Sequence, residues 1–268
     1  MRIAVKWAAG WLIGLGAIGV AQAQELRPFC ADRPGLGTPS CTVDAGHVVV
    51  EAGAVDWTLE RDTDTRTDTV EAGDLLVRAG LTPTLEAQIG WTAFGHVRER
   101  DAAGAVTRTS GVGDIRVALR QNLANPDGSS FSIAVMPFAT LPVGGAAIGA
   151  GDWGAGVIAP VHFDLTGKIG LSLTPQVEAA VDEDRHGRHL AYGSVVGLDT
   201  SLTDSLDAAL EFQVTRDDDP LAPHTEALTS LSFALQPGDD LQFDAGAVAG
   251  LNSDSPDVEL YIGVARRF

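Results

Sequence analysis

Residues 257–268 read DVELYIGVARRF, and this stretch decides the fold. At alternate positions, Val258, Leu260, Ile262, Val264, Arg266 and Phe268 form one set, and Asp257, Glu259, Tyr261, Gly263, Ala265 and Arg267 form the other. A strand carries such sets on opposite faces. One face is then apolar apart from Arg266, and the other is polar or small. The stretch finishes on its apolar face, at Phe268, where soluble chains usually carry a loose polar tail. A closed transmembrane barrel explains this. Its last strand must pair with its first, because an open edge in lipid leaves backbone groups unsatisfied. An aromatic residue at the end of that strand sits at the membrane interface, and Arg266 is near enough to the edge to place its charge among headgroups.

The same alternation recurs upstream. Leu85, Ala87, Ile89 and Trp91 face away from Glu86, Gln88 and Thr92. Ile169, Leu171, Leu173 and Val177 oppose Ser172, Thr174, Gln176 and Glu178. Leu206, Leu210, Phe212 and Val214 oppose Asp207, Glu211 and Gln213. Phe243, Ala245 and Ala247 oppose Gln242 and Asp244. A helical period of 3.6 would smear these sets around the axis. Short turns (LTPT at 81–84, NPDGS at 125–129, LTGK at 165–168, LTDS at 202–205, QPGDD at 236–240) alternate with longer, more charged connections such as ERDTDTRTD at 60–68 and RERDAAGAVTRTS at 98–110. Short periplasmic turns and longer outer loops are the pattern of outer-membrane barrels. The expected fold is all-β: a closed antiparallel transmembrane β-barrel of about 12 strands over residues 46–268, with both termini periplasmic. A secreted β-sandwich is the competing architecture, since aromatic residues are only 6% of the chain.

The N-terminal part differs. Residues 1–23 read as a signal peptide, with Arg2 and Lys6 before an apolar run and AQA at 21–23 as the cleavage site. Residues 24–45 carry Pro28, Pro34 and Pro39 with Gly35 and Gly37, and read as an irregular periplasmic arm. Cys30 and Cys41 are the two cysteines, and an oxidising compartment favours a disulfide between them over two free thiols. With 36 acidic against 18 basic residues the chain is unsuited to nucleic acid, whose affinity comes from neutralised phosphates.

GHVVVEAG at 46–53, GVGDIRVALRQNL at 111–123, MPFATLPVGG at 136–145 and the terminal RRF carry a resemblance to the outer-membrane β-barrel family named for the phenol meta-pathway, that is, phenol-degradation transporters. The resemblance implies a porin-like transporter for aromatic or other small hydrophobic compounds. It also implies that the strand ending at Phe268 is read by the barrel-assembly machinery. The partners expected are therefore the outer-membrane bilayer, small solutes and that machinery, with no cofactor.

Function depends on the inward face. The alternation turns Glu51, Arg78, Glu86, His96 and Asp114 inward, followed by Arg116, Arg120, Glu178, Glu211 and Glu259. Asp74, Gln88, Glu226 and Asp244 join them. Acids outnumber bases, which favours cations or neutral solutes. The three arginines, set against acids, either fix a constriction in a pore or lock an occluded structural barrel. The stretch LPVGGAAIGAGDW at 141–153 folds inward as a constriction or stays on the surface; it lacks a P-loop ending. The runs with Asp182, Glu183, Asp184, His186 and His189, and with Asp217, Asp218 and Asp219, have the residue types for a divalent metal but match no EF-hand spacing, and solvated loops without metal are the preferred reading. A hydrolase would need Ser132 or Ser172 ordered against His96 or His162, and no motif in the chain does that.

Overall fold

The structure is a computed structural model and describes residues 26–145 and 148–268; the expected signal peptide lies outside these residues. Fourteen antiparallel segments follow one another: β1 (Val48–Arg61), β2 (Thr65–Thr82), β3 (Leu85–Asp101), β4 (Val106–Gly111), β5 (Ile115–Ala124), β6 (Phe131–Leu141), β7 (Gly154–Ile158), β8 (Val161–Thr166), β9 (Ile169–Val181), β10 (Arg188–Ser201), β11 (Leu206–Asp217), β12 (His224–Gly238), β13 (Leu241–Gly250) and β14 (Val258–Arg267). Two pairs of segments are single wall strands interrupted once. β4 and β5 keep one register against β3, from Gly95↔Gly111 to Trp91↔Ile115. β7 and β8 keep one register against β6 and β9 on either side of Pro160, which has no N–H to give a ladder. Fourteen segments less these two breaks make twelve wall strands.

The wall closes between β1 and β14, from Val49↔Arg267 to Leu59↔Val258. Val48 and Phe268 complete the seam by exchanging backbone hydrogen bonds of 3.1 and 2.8 Å. Outside this seam Leu260, Ile262 and Phe268 are exposed, while Tyr261 and Ala265 are buried inside. The same division runs around the barrel. Exposed apolar side chains such as Ile89, Leu119, Val177, Leu210 and Leu231 cover the outer wall. A continuous apolar surface of this extent suits hydrocarbon and not water. Aromatics flank it, with Phe131, Phe163, Phe233 and Phe243 toward the short turns and Trp91, Phe94, Trp153 and Tyr192 toward the long loops. No helix among the described residues is long and apolar enough to cross a membrane.

Several long connections of the sequence are mostly strand. β1 and β2 continue to a three-residue turn at 62–64, and β3 runs through Arg98–Asp101 to pair with β4. Above the lipid both faces of a hairpin meet water, so the apolar alternation vanishes while the pairing continues.

The alternation also steps once within the wall. β1 gains a residue at Ala54 relative to β14, and Gly73 on β2 adopts φ 67° opposite it. Such a bulge exchanges the faces beyond it. Beyond the step, Asp56, Glu71 and Gly95 lie on the inner face, and Trp57, Val70, His96 and Ser110 on the outer one. His96, expected inside, is therefore outside, where its Nδ1 lies 2.8 Å from Ser110 Oγ.

Candidate functional site

Residues 26–45, the irregular arm, run inside the barrel wall and meet the short turns at Pro83 and Pro126. Their irregular, proline-bearing backbone forms no sheet, so its amides need acceptors. The inward acids supply them. Asp32 and Arg33 each donate a backbone N–H to Glu51 at 2.9 Å. Leu36 and Gly37 donate to Glu211 at 2.7 and 3.0 Å. Val43 donates to Glu86 at 2.7 Å, and Gly35 to the Tyr261 hydroxyl at 3.1 Å. Gly35 has φ 111°, and a Cβ there would stand 2.6 Å from the Glu211 carboxylate, so only glycine fits. Polar side chains of other wall strands hold the rest. Asn122 Nδ2 donates to the Ser40 carbonyl, Gln242 Nε2 to the Arg33 carbonyl, and Thr174 Oγ1 to the Thr38 carbonyl.

A charge cluster anchors the arm's middle. Arg78 contacts Asp32 at 2.9 Å, Glu86 at 3.0 Å and Glu51 at 3.2 Å. Arg120 contacts Asp32 at 2.6 Å and Glu86 at 3.3 Å. Both guanidiniums also donate to the arm backbone, Arg78 to the Cys30 carbonyl and Arg120 to the Cys41 carbonyl. A disulfide joins Cys30 to Cys41, with Cα atoms 6.6 Å apart, and closes the loop that holds Asp32. Burial alone would raise the Asp32 carboxyl; the Arg120 and Arg78 guanidiniums outweigh it and hold the group below its ordinary range. Further round the lumen, Arg33 of the arm pairs with Asp244 at 3.0 Å.

Of the inward residues expected from sequence, Glu51, Arg78, Glu86, Arg120 and Glu211 thus converge on the arm. Arg116 stands apart, stacked 3.8 Å from the Phe138 ring and facing Glu178. Glu259 lies beside Asp56 on the loop side of the arm. Asp114 accepts backbone N–H bonds from Gly144 at 2.7 Å and Ala150 at 2.8 Å, which draws these two ends of the β6–β7 connection inward. Ile148 of that connection covers Gly95, where a Cβ would collide with it. The lumen therefore carries two obstructions, an arm at one end and a folded loop toward the other.

Asp32 and Arg33 had no periodic pattern to mark them, because the arm has no regular structure. Thr174 and Gln242 read in the sequence only as polar positions in alternating strands, and Asn122 only as part of the stretch 111–123. Between the arm and the β8–β13 side remains a cavity of about 360 Å³ lined by Pro39, His162, Ser172, Asp199, Ala208 and Gln242, among others. Ser132, His162 and Ser172 fall in one cross-strand row there. His162 Nε2 lies 3.0 Å from Asp164, and Ser132 Oγ donates to the Asn125 carbonyl. Among the described residues no serine hydroxyl hydrogen-bonds His162, so the row lacks the nucleophile–base contact of a hydrolase.

No curated protein sequence matches the chain. Among solved structures it is similar to an outer membrane channel from Pseudomonas putida F1, with a TM-score of 0.70 at 15% identity, covering 88% of this chain and 100% of that one. It is also similar to the NanC porin (TM-score 0.51, 8% identity, 82% of this chain and 98% of that one). The transport unit of the autotransporter AIDA-I from Escherichia coli is a third similar fold (TM-score 0.51, 6% identity, 82% and 89%). At these identities the likeness concerns the fold, the barrel of outer-membrane proteins. Residues 31–268 match the profile of one family across most of the arm and the whole wall, and the chain belongs to that family, described as "Putative MetA-pathway of phenol degradation".

Proposed function

We propose that the protein is an outer-membrane channel for passive uptake of small aromatic or similarly compact compounds, with the arm setting what passes. The observation that carries this reading is the arm itself, bound along the lumen by inward charges, with a cavity of about 360 Å³ left beside it. A purely structural barrel needs no such free space beside its filling. The family description and the channels among similar folds support the same class and suggest phenolic or related solutes. No chemistry is assigned to the chain. The termini and short turns face the periplasm in this reading, and the strand ending at Phe268 is the element read by the assembly machinery.

Liposome uptake of phenol, a neutral sugar, and a cation and an anion of matched size tests the proposal. Phenol and small neutral solutes are expected to enter faster than in protein-free vesicles, and deletion of residues 26–45 is expected to raise uptake of all four. Phenol uptake equal to that of empty vesicles, in wild type and deletion alike, would overturn it.

A further inference from the structure

At the loop end of the lumen, two acidic runs separated in sequence meet on one histidine. His189 stands at the start of β10, on the same face as Ala191 and Val195, which are buried inside the barrel. Its side chain is only 5% exposed. Nδ1 lies 2.9 Å from Asp182 Oδ1 and 3.4 Å from Asp219 Oδ2. Nε2 lies 2.7 Å from Asp217 Oδ1, yet off the line of a ring N–H hydrogen bond, so this buried nitrogen has no fitted partner. Asp182 comes from the β9–β10 connection, Asp217 from the end of β11, and Asp219 from the β11–β12 connection.

We propose that Asp182, His189 Nδ1 and Asp219 form a binding site for a divalent transition metal, with zinc as the representative ion. Three lines support it. The first is spacing. Ligands about 2.1 Å from zinc at tetrahedral angles lie about 3.4 Å from one another; Nδ1 lies 2.9 and 3.4 Å from the two carboxylate oxygens, and all three atoms lie within 4.8 Å of one another. The second is charge. Three carboxylates gathered around one imidazole concentrate negative charge, which a dication offsets. The third is the ring's other side. Metal-bound histidines carry their second N–H against a carboxylate, and Asp217 stands at that place. A small rotation of the ring on metal binding turns Nε2–H toward Asp217 and completes the contact now lacking. Imidazole in the donor set favours zinc or a similar ion over magnesium or calcium, which take oxygen. Asp219 is already fixed, since one of its oxygens accepts N–H bonds from Leu221 and Ala222 and the other accepts one from Glu183. A bound ion would tie two loops to the strand between them and stiffen the mouth of the barrel.

The test is titration of zinc into the detergent-purified full chain, followed by calorimetry and by thermal midpoint. The expected result is one zinc per chain with micromolar or tighter affinity and a raised midpoint. His189→Ala and Asp182→Asn should each weaken binding at least tenfold, and Asp217→Asn by about 10- to 100-fold. His186→Ala, whose side chain is 86% exposed in the same connection, should bind as wild type. Heat-dependent gel mobility reports that each variant is folded, and Asp182→Asn keeps the test valid where His189→Ala does not fold. Absence of wild-type binding up to about 1 mM zinc, a free energy of only about 4 kcal/mol, would overturn the site. So would undiminished affinity in folded Asp182→Asn and His189→Ala, which would place the zinc elsewhere.

Discussion

Arg78 and Glu86, on opposite sides of the β2–β3 turn, meet in a two-pronged ion pair, Nε to Oε1 and Nη2 to Oε2, both at 3.0 Å. Neither side chain is exposed. The pair is the foundation of the arm's seat, because the same guanidinium reaches Asp32 and the Cys30 carbonyl.

Arg78→Ala would leave Glu51, Glu86 and Asp32 with one fewer cation among them. Breaking a buried pair from one side typically costs about 3–5 kcal/mol. We expect a loss of that order in urea titrations of the detergent-solubilised protein, and a larger single-channel conductance from a loosened arm. Stability and conductance both at the wild-type level would show that the cluster does not hold the arm.

The seat should also weaken in acid. The Asp32 carboxyl is held below its ordinary value of 3.8 in the folded protein by Arg120 and Arg78, against the effect of burial. Its contribution is therefore complete above about pH 4 and is lost as pH falls through the lower, folded-state value. Conductance recorded from pH 6 downward should rise below about pH 4, and Asp32→Asn should remove this contribution at every pH.

Reduction of the Cys30–Cys41 bond should free the segment that carries Asp32. A loop of this size is worth roughly 3 kcal/mol in the chain-entropy description. The Cys30→Ser/Cys41→Ser double variant is expected to show faster proteolysis within residues 26–45 while the wall resists. Equal protection of both regions would mean that the wall contacts alone fix the arm.

The inward loop has its own anchor. Asp114→Ala removes the acceptor for Gly144 and Ala150, and Gly95→Leu puts a side chain where Ile148 lies. Both changes should release the β6–β7 connection and increase open-channel noise, with thermal stability of the wall nearly unchanged. Quiet traces in both variants would show that this connection does not touch the conduction path.

Much of the wall could be read from alternation alone. The pairing of the last strand with the one beginning near His47 follows from DVELYIGVARRF, and the seam at Val48 and Phe268 has that arrangement. Alternation fails where its physical cause fails. His96 lies past a step at Ala54 and Gly73 that a single sequence does not announce, since one glycine among many carries it. The extended hairpins beyond the lipid read as loops because water wets both their faces. The arm's seat is the least legible part. It is held largely through its own backbone amides, which every residue but proline has, so nothing in its side chains says that the Glu51, Glu86 and Glu211 carboxylates await it.

The arm runs into β1 at Val48, and Gly46 N–H is bonded to the Gly80 carbonyl just before it. A segment tied so close to its own seat cannot diffuse away when it leaves. A short flexible tether holds its load at an effective concentration in the millimolar range. Recapture then competes with every departure, so the pore should open in brief flickers and reset itself without any outside signal.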